Sequence, residues 1–175
     1  LISAGKTTAL ISFIGGTIIL LLFYFTGSIN FGFWGLRYII IAGIINLIML
    51  GVFVYKAWKS KVNRNLFLKA SGLILLNIPL ALFYFWFASV LQDTMRITLI
   101  NTSKEQLTDI KLYGCEERNV QRLLAGQSET VWINIPIDCA IEVVYKVNGI
   151  KKTEVITAYT SKSMGKIMTF RIGTN

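Results

Sequence analysis

Two regimes of hydrophobic patterning divide this chain. Up to about residue 91 the apolar residues come in long runs, and beyond it they alternate with polar ones. A run of about 20 apolar residues, at about 1.5 Å rise per residue, is long enough to cross a hydrocarbon core of about 30 Å. Three such runs are predicted as transmembrane helices, at 8–25, 38–55 and 70–91, and none contains a charged residue. Alternation with period two predicts short strands at 96–100, 107–113, 121–124, 130–135, 140–147, 151–158 and 166–172. Between two of them lies Asn148-Gly149, the dipeptide that best suits a type I′ hairpin turn. The expected fold class is an α+β membrane protein: a three-helix transmembrane domain at 1–92, then a small antiparallel β-sandwich at 93–175.

The stretch 123–133 runs from Leu123-Leu124-Ala125 through a Gly126 turn into the alternating segment that holds Val131, Trp132 and Ile133. Together with Ile100-Asn101-Thr102-Ser103 it resembles immunoglobulin-like sandwich modules. The resemblance concerns fold and carries no functional residues. The Cys-Trp-Cys spacing of antibody domains is not reproduced.

Charge then orients the helices. The chain has a net charge of +9, and residues 1–92 hold seven Lys/Arg and no acid, whereas 93–175 hold eleven Lys/Arg and nine Asp/Glu. Lys56, Lys59, Lys61, Arg64 and Lys69 lie in one segment, 56–69, between the second and third runs. Basic loops stay on the cytoplasmic side and touch anionic lipid headgroups. With Lys6 ahead of the first run, this puts the N-terminus inside and the C-terminal domain outside, in a bacterial-type inner membrane. A cleaved signal peptide is disfavoured, because the first run is long and Thr26-Gly27-Ser28-Ile29-Asn30 lacks an A-x-A site. The chain starts at Leu1 rather than Met, which suits residues preceding it in the native protein.

Within the runs, Asn46 and Asn77 are the strong polar residues, some nine and seven residues from the inner ends. A hydrogen bond between them would satisfy both amides where water is absent. Pro79 should kink the third span. Ala9, Ser12 and Gly16 line one face of the first span and suit close packing. Phe83, Tyr84 and Trp86 near the outer end of span three, with Trp34 in a loop rich in Gly and aromatics, form an interface belt or a partner surface.

Cys115 and Cys139 both fall in the outer domain, where a disulfide closing a loop of about 25 residues is expected. Catalytic chemistry is sparse. There is no histidine, and two cysteines alone cannot close a zinc site. Gly5-Lys6-Thr7 lacks the leading glycine of a phosphate-binding loop, and Asn101-Thr102-Ser103 fits a glycosylation sequon. The adjacent carboxylates of Glu116-Glu117 point apart on an extended chain, and the Ser161–Lys166 loop reads as a solvated turn, so no catalytic, cofactor or metal-binding role is expected of either. Only Gln92-Asp93-Thr94-Met95 separates span three from the first strand, which holds the domain near the membrane.

These readings point to a non-enzymatic membrane protein that presents its outer β domain to other membrane or periplasmic subunits, as an accessory component of an envelope complex. No nucleic acid, small-molecule substrate or cofactor is expected. An immunity-type protein against a toxin and a small transporter or channel subunit, with Asn46 and Asn77 lining its path, are the alternatives.

Overall fold

The computed structural model describes residues 2–60 and 62–173. Lys61 of the basic segment lies outside the described residues. The chain divides into two compact units, 1–88 and 89–175.

The first unit is helical: α1 (Ile2–Thr26), α2 (Ile29–Lys59), α3 (Arg64–Leu75) and α4 (Asn77–Asp93), the last of which runs on into the second unit. Three stretches, Gly5–Thr26, Ile29–Lys59 and Arg64–Asp93, are long and apolar enough to cross a membrane. Only 17%, 11% and 11% of their most apolar windows are buried, so most of their apolar side chains face outward. A helix bundle in water would turn those faces inward.

The helix boundaries differ from the sequence reading in two places. The expected outer loop is helical, because α2 starts at Ile29 and only Gly27 and Ser28 separate it from α1. Gly27 adopts φ +60° and returns its N–H to Phe23 O at 2.9 Å, a left-handed C-cap that glycine forms without strain. Gly32 and Gly35, read as loop residues, pack on Phe23 and Ile19 of α1 instead. The basic segment is also mostly helical. Lys56 and Lys59 end α2, Arg64 opens α3, and Lys69 lies within it, all four exposed.

Span three is broken at Leu76 into α3 and α4, three residues before Pro79. Proline has no N–H to give to the carbonyl four residues earlier, and its ring clashes with that carbonyl, here on Leu75. The first helix therefore ends where the proline cannot support it.

The second unit holds β1 (Thr94–Asn101), β2 (Leu107–Tyr113), β3 (Arg118–Leu123), β4 (Ser128–Asn134), β5 (Cys139–Val147), β6 (Ile150–Thr160) and β7 (Ile167–Ile172). One sheet has the order β4-β1-β7 and the other β3-β2-β5-β6. Their inward side chains form one core, with Ile97, Leu99 and Ile133 from the first sheet and Leu107, Ile110, Leu112, Ile141 and Tyr145 from the second. The sandwich is not wholly antiparallel as expected: β7 runs parallel to β1, with Leu99 opposite Phe170. The β5–β6 hairpin turns at Asn148 (φ +49°) and Gly149 (φ +80°), as a type I′ turn requires.

In β2 the buried residues are Leu107, Ile110 and Leu112, a spacing that breaks period two. The register against β5 shifts between Thr108 and Lys111, and Asp109 takes φ +51°. This β-bulge absorbs one residue and returns Ile110 to the core face.

Candidate functional site

Helix α1 is the element that the other helices of the first unit share. Tyr38 of α2 donates to Ile11 O at 2.7 Å, and Asn46 Nδ2 donates to Ser12 Oγ at 2.9 Å and to its own helix at Ala42 O, 2.8 Å. From α4, Asn77 Nδ2 donates to Ala9 O at 3.3 Å, and Tyr84 and Thr17 share a hydroxyl–hydroxyl bond of 2.7 Å. Tyr24 stacks on Phe87 with centroids 6.3 Å apart. Gly15 leaves room for the Tyr38 hydroxyl and Gly16 for the Tyr84 ring. The small-residue face predicted on α1 is therefore the seat for aromatic and amide groups of α2 and α4.

The expected Asn46–Asn77 hydrogen bond is absent, and each amide bonds α1 instead. Their similar depth was legible; that a third helix stands ready with acceptors for both was not.

Between α2 and α4, with α1 as its floor, lies a cleft of about 540 Å³. Ser12, Phe13 and Gly16 line it from α1, Tyr38 to Leu50 from α2, and Asn77 to Phe85 from α4. Its walls are aliphatic and aromatic apart from the two asparagines and a few hydroxyls. The size falls in the usual range of ligand pockets, about 300–1,000 Å³.

The aromatic residues expected to form one outer surface take different places. Tyr84 turns inward to α1, while Phe83 and Trp86 are exposed with centroids 5.9 Å apart, and Phe83 stacks on Phe87. Trp34 is 61% exposed on α2, under the Arg37 guanidinium at 5.6 Å. At the other end of α2, Lys59 Nζ donates to Tyr55 at 3.2 Å.

In the β unit, Cys115 and Cys139 form a disulfide, with Cα atoms 5.5 Å apart, which ties the β2–β3 turn to the start of β5. The sequon residue Asn101 is fully buried. Its Nδ2 donates to Glu105 O and Leu123 O, and its Oδ1 accepts from Ser103 N and Oγ. All its hydrogen-bonding capacity goes to shaping the β1–β2 loop, which removes it as a glycosylation acceptor in the folded chain. Glu116 accepts from Asn134 N at 2.7 Å and pairs with Arg118 at 2.8 Å, and Ser163 Oγ donates to Asp93 at 3.0 Å. Gly165 N–H donates to Gln92 O and Ile135 N–H to Asp93 O, so two loops of the sandwich grip the last turn of α4.

Two titrating groups in this unit are displaced from their ordinary values. Burial raises the Tyr145 phenol, and its hydrogen bond to Glu154 raises it further. The hydrogen bond and charge of Lys146 lower the exposed Asp109 carboxyl. Among the described residues no group of three His, Cys, Asp or Glu side chains is placed to hold a metal ion.

No family model and no curated protein matches this chain. Among solved structures it is similar to one described as the NMR structure of the protein from Eubacterium rectale, with 19% identity and a TM-score of 0.36, covering 46% of this chain and 75% of that one.

Proposed function

We propose that the chain is a bacterial-type inner-membrane protein whose outward-facing β unit serves protein–protein interaction, as a non-enzymatic accessory subunit of a larger envelope complex. Its termini would follow the positive-inside rule, with the N-terminus cytoplasmic and the β unit periplasmic. One observation carries the reading: the cations Lys56, Lys59, Arg64 and Lys69 gather where α2 meets α3, and the disulfide-closed unit follows the opposite end of span three. Cations mark the cytoplasmic side, and disulfides persist in oxidising compartments.

The two sheets, β3-β2-β5-β6 and β4-β1-β7, support a sandwich, but they do not follow the immunoglobulin order, in which the first strand pairs with the second; here β1 pairs with β4 and β7. An interaction role is supported by the tying of the reactive-looking polar groups, Asn101, Glu116 and Ser163, into structural hydrogen bonds. It is further supported by exposed Phe83, Trp86 and Trp34, aromatic residues of the kind enriched at interfaces.

The test is extraction of the tagged full chain in a mild detergent, followed by native mass determination. The reading predicts a complex containing a second polypeptide in fixed ratio. A monodisperse lone chain at native expression level would contradict it.

A further inference from the structure

We propose that the free edge of β7 takes up one more strand: a lone extended segment of another polypeptide that alternates apolar and polar residues and carries Asp or Glu. The proposal rests on the interaction reading of the β unit and names the surface and the chemistry of what it binds.

The two sheets differ in width by one strand, four against three. Residues opposite one another in the β5–β6 pair share a face of the sheet. Val143 and Tyr145 of β5 point into the core and are buried. Their partners on β6, Glu154 and Lys152, lie on the same face, yet Lys152 is exposed and Glu154 half-buried. The narrower sheet therefore covers β5 and stops short of the first half of β6. Its strand on that side is β7, because the short turn at 124–127 keeps β4 beside β3, at the far edge from β6. Met168 and Phe170, the core-facing residues of β7, are correspondingly half-buried.

The backbone of β7 is ready for another strand. Lys166 O accepts from Arg96 N at 2.9 Å, and Ile172 O accepts from Thr102 N at 3.0 Å. In a parallel pair alternate residues bond the neighbour, so Ile167, Thr169 and Arg171 turn their N–H and C=O to the open edge. Among the described residues β7 pairs with β1 alone. Bulges, lysines and prolines commonly blunt such edges. The β6 edge has two register shifts and Lys151-Lys152, whereas β7 pairs with β1 over six residues without a shift and contains no lysine or proline.

The one-strand step decides what fits. An edge strand of a second sandwich, a second copy of this one included, brings its own opposite sheet beneath it, and β6 already fills that layer here. A lone strand covers Met168 and Phe170 and stays above β6. Charge decides its composition. Lys152 beneath it and Arg171 beside it make no ion pair among the described residues, and Glu154 is engaged by the Tyr145 hydroxyl. An acidic segment is attracted by both cations and a basic one repelled. Main-chain hydrogen bonds supply the affinity, and the alternating side chains the selectivity.

The test pans a displayed library of random twelve-residue peptides against the full chain in neutral detergent micelles, and measures the enriched peptides by fluorescence anisotropy. They should alternate apolar and polar residues and carry Asp or Glu. Thr169→Pro removes an N–H from the open edge only, where proline is tolerated, and should weaken them ten-fold or more. Lys152→Glu, at an exposed side chain, should weaken them about three- to ten-fold and favour basic peptides instead. The second variant decides if the first fails to fold. No enrichment, enriched peptides without acid, affinities unchanged in Lys152→Glu, or a dimer of the chain that Thr169→Pro dissolves would each overturn the proposal. A second polypeptide still extracted in fixed ratio with folded Thr169→Pro would overturn this surface and leave the interaction reading standing.

Discussion

The hydroxyls of Thr17 and Tyr84 lie 2.7 Å apart and join α1 to α4 across 67 positions of sequence. Thr17 also bonds Phe13 O at 2.8 Å, so it keeps a partner if the phenol is removed. Tyr84→Phe should therefore cost little, about 0.5–1 kcal/mol, the typical worth of one interhelical hydrogen bond in lipid. Gly16→Leu should cost more, about 1–3 kcal/mol, because even a Cβ there would stand 2.8 Å from the Tyr84 ring. Unfolding in mixed micelles measures both. A larger loss for Tyr84→Phe than for Gly16→Leu would mean that the hydroxyl pair, not the close fit, joins these helices.

The disulfide between Cys115 and Cys139 encloses a sequence separation of 24 and closes one end of the sandwich. Chain-entropy arguments give such a crosslink about 3 kcal/mol. The double substitution of both cysteines by Ser should lower the thermal midpoint of the β unit by several degrees while leaving helix content unchanged, read by circular dichroism. An unchanged midpoint would mean the bridge adds nothing to the folded unit.

Tyr145 and Glu154 make the stability of the β unit sensitive to alkali. The buried phenol has a folded-state pKa above its ordinary 10.0, so its neutral form is favoured by folding. Its contribution is complete below about pH 10 and is lost as pH rises above that, where the unfolded chain gives up the proton first. Denaturant midpoints compared between pH 8 and pH 11 should fall less for Tyr145→Phe than for the unsubstituted chain. Parallel slopes would contradict this.

Asp109 tests the bulge. Its left-handed backbone (φ +51°) is what returns Ile110 to the core face, and the side chain itself is exposed. Asp109→Gly should be neutral or slightly stabilising, whereas Asp109→Val should cost about 1–2 kcal/mol, since a β-branched residue resists that conformation. The carboxyl is held below its ordinary 3.8 by Lys146, so the ion pair favours folding above that pH and fades as pH falls through the folded value. An exposed pair of this kind adds little. Equal stability of the Gly and Val variants at neutral pH would rule out the strained bulge.

The strands were legible because a sandwich buries one face of each, which writes period two into the sequence. β2 too was placed by alternation, although its period fails at Asp109, where the extra residue was not read. Partner choice left no such trace: nothing in the alternation of 166–172 says that β7 lies parallel to β1. In the helices, glycine and aromatic residues at 30–35 were misread as a loop. In a membrane helix, glycine is a contact residue, and here Gly32 and Gly35 meet Phe23 and Ile19. Asn46 and Asn77 stood out from the sequence as polar groups at membrane depth. Their common partner α1 is a property of three-helix packing, and no single segment encodes it.

The central claim is that the β unit and the α2–α3 connection lie on opposite sides of a membrane. Exposed Lys151 and Lys152 in the β5–β6 hairpin region and exposed Lys56 and Lys59 at the end of α2 report on the two sides. A membrane-impermeant amine reagent applied to intact bacterial spheroplasts, followed by peptide mass mapping, should label Lys151 and Lys152 and spare Lys56 and Lys59, with the pattern reversed in inside-out vesicles. Labelling of Lys56 and Lys59 from outside, or of both pairs from the same side, would contradict the account.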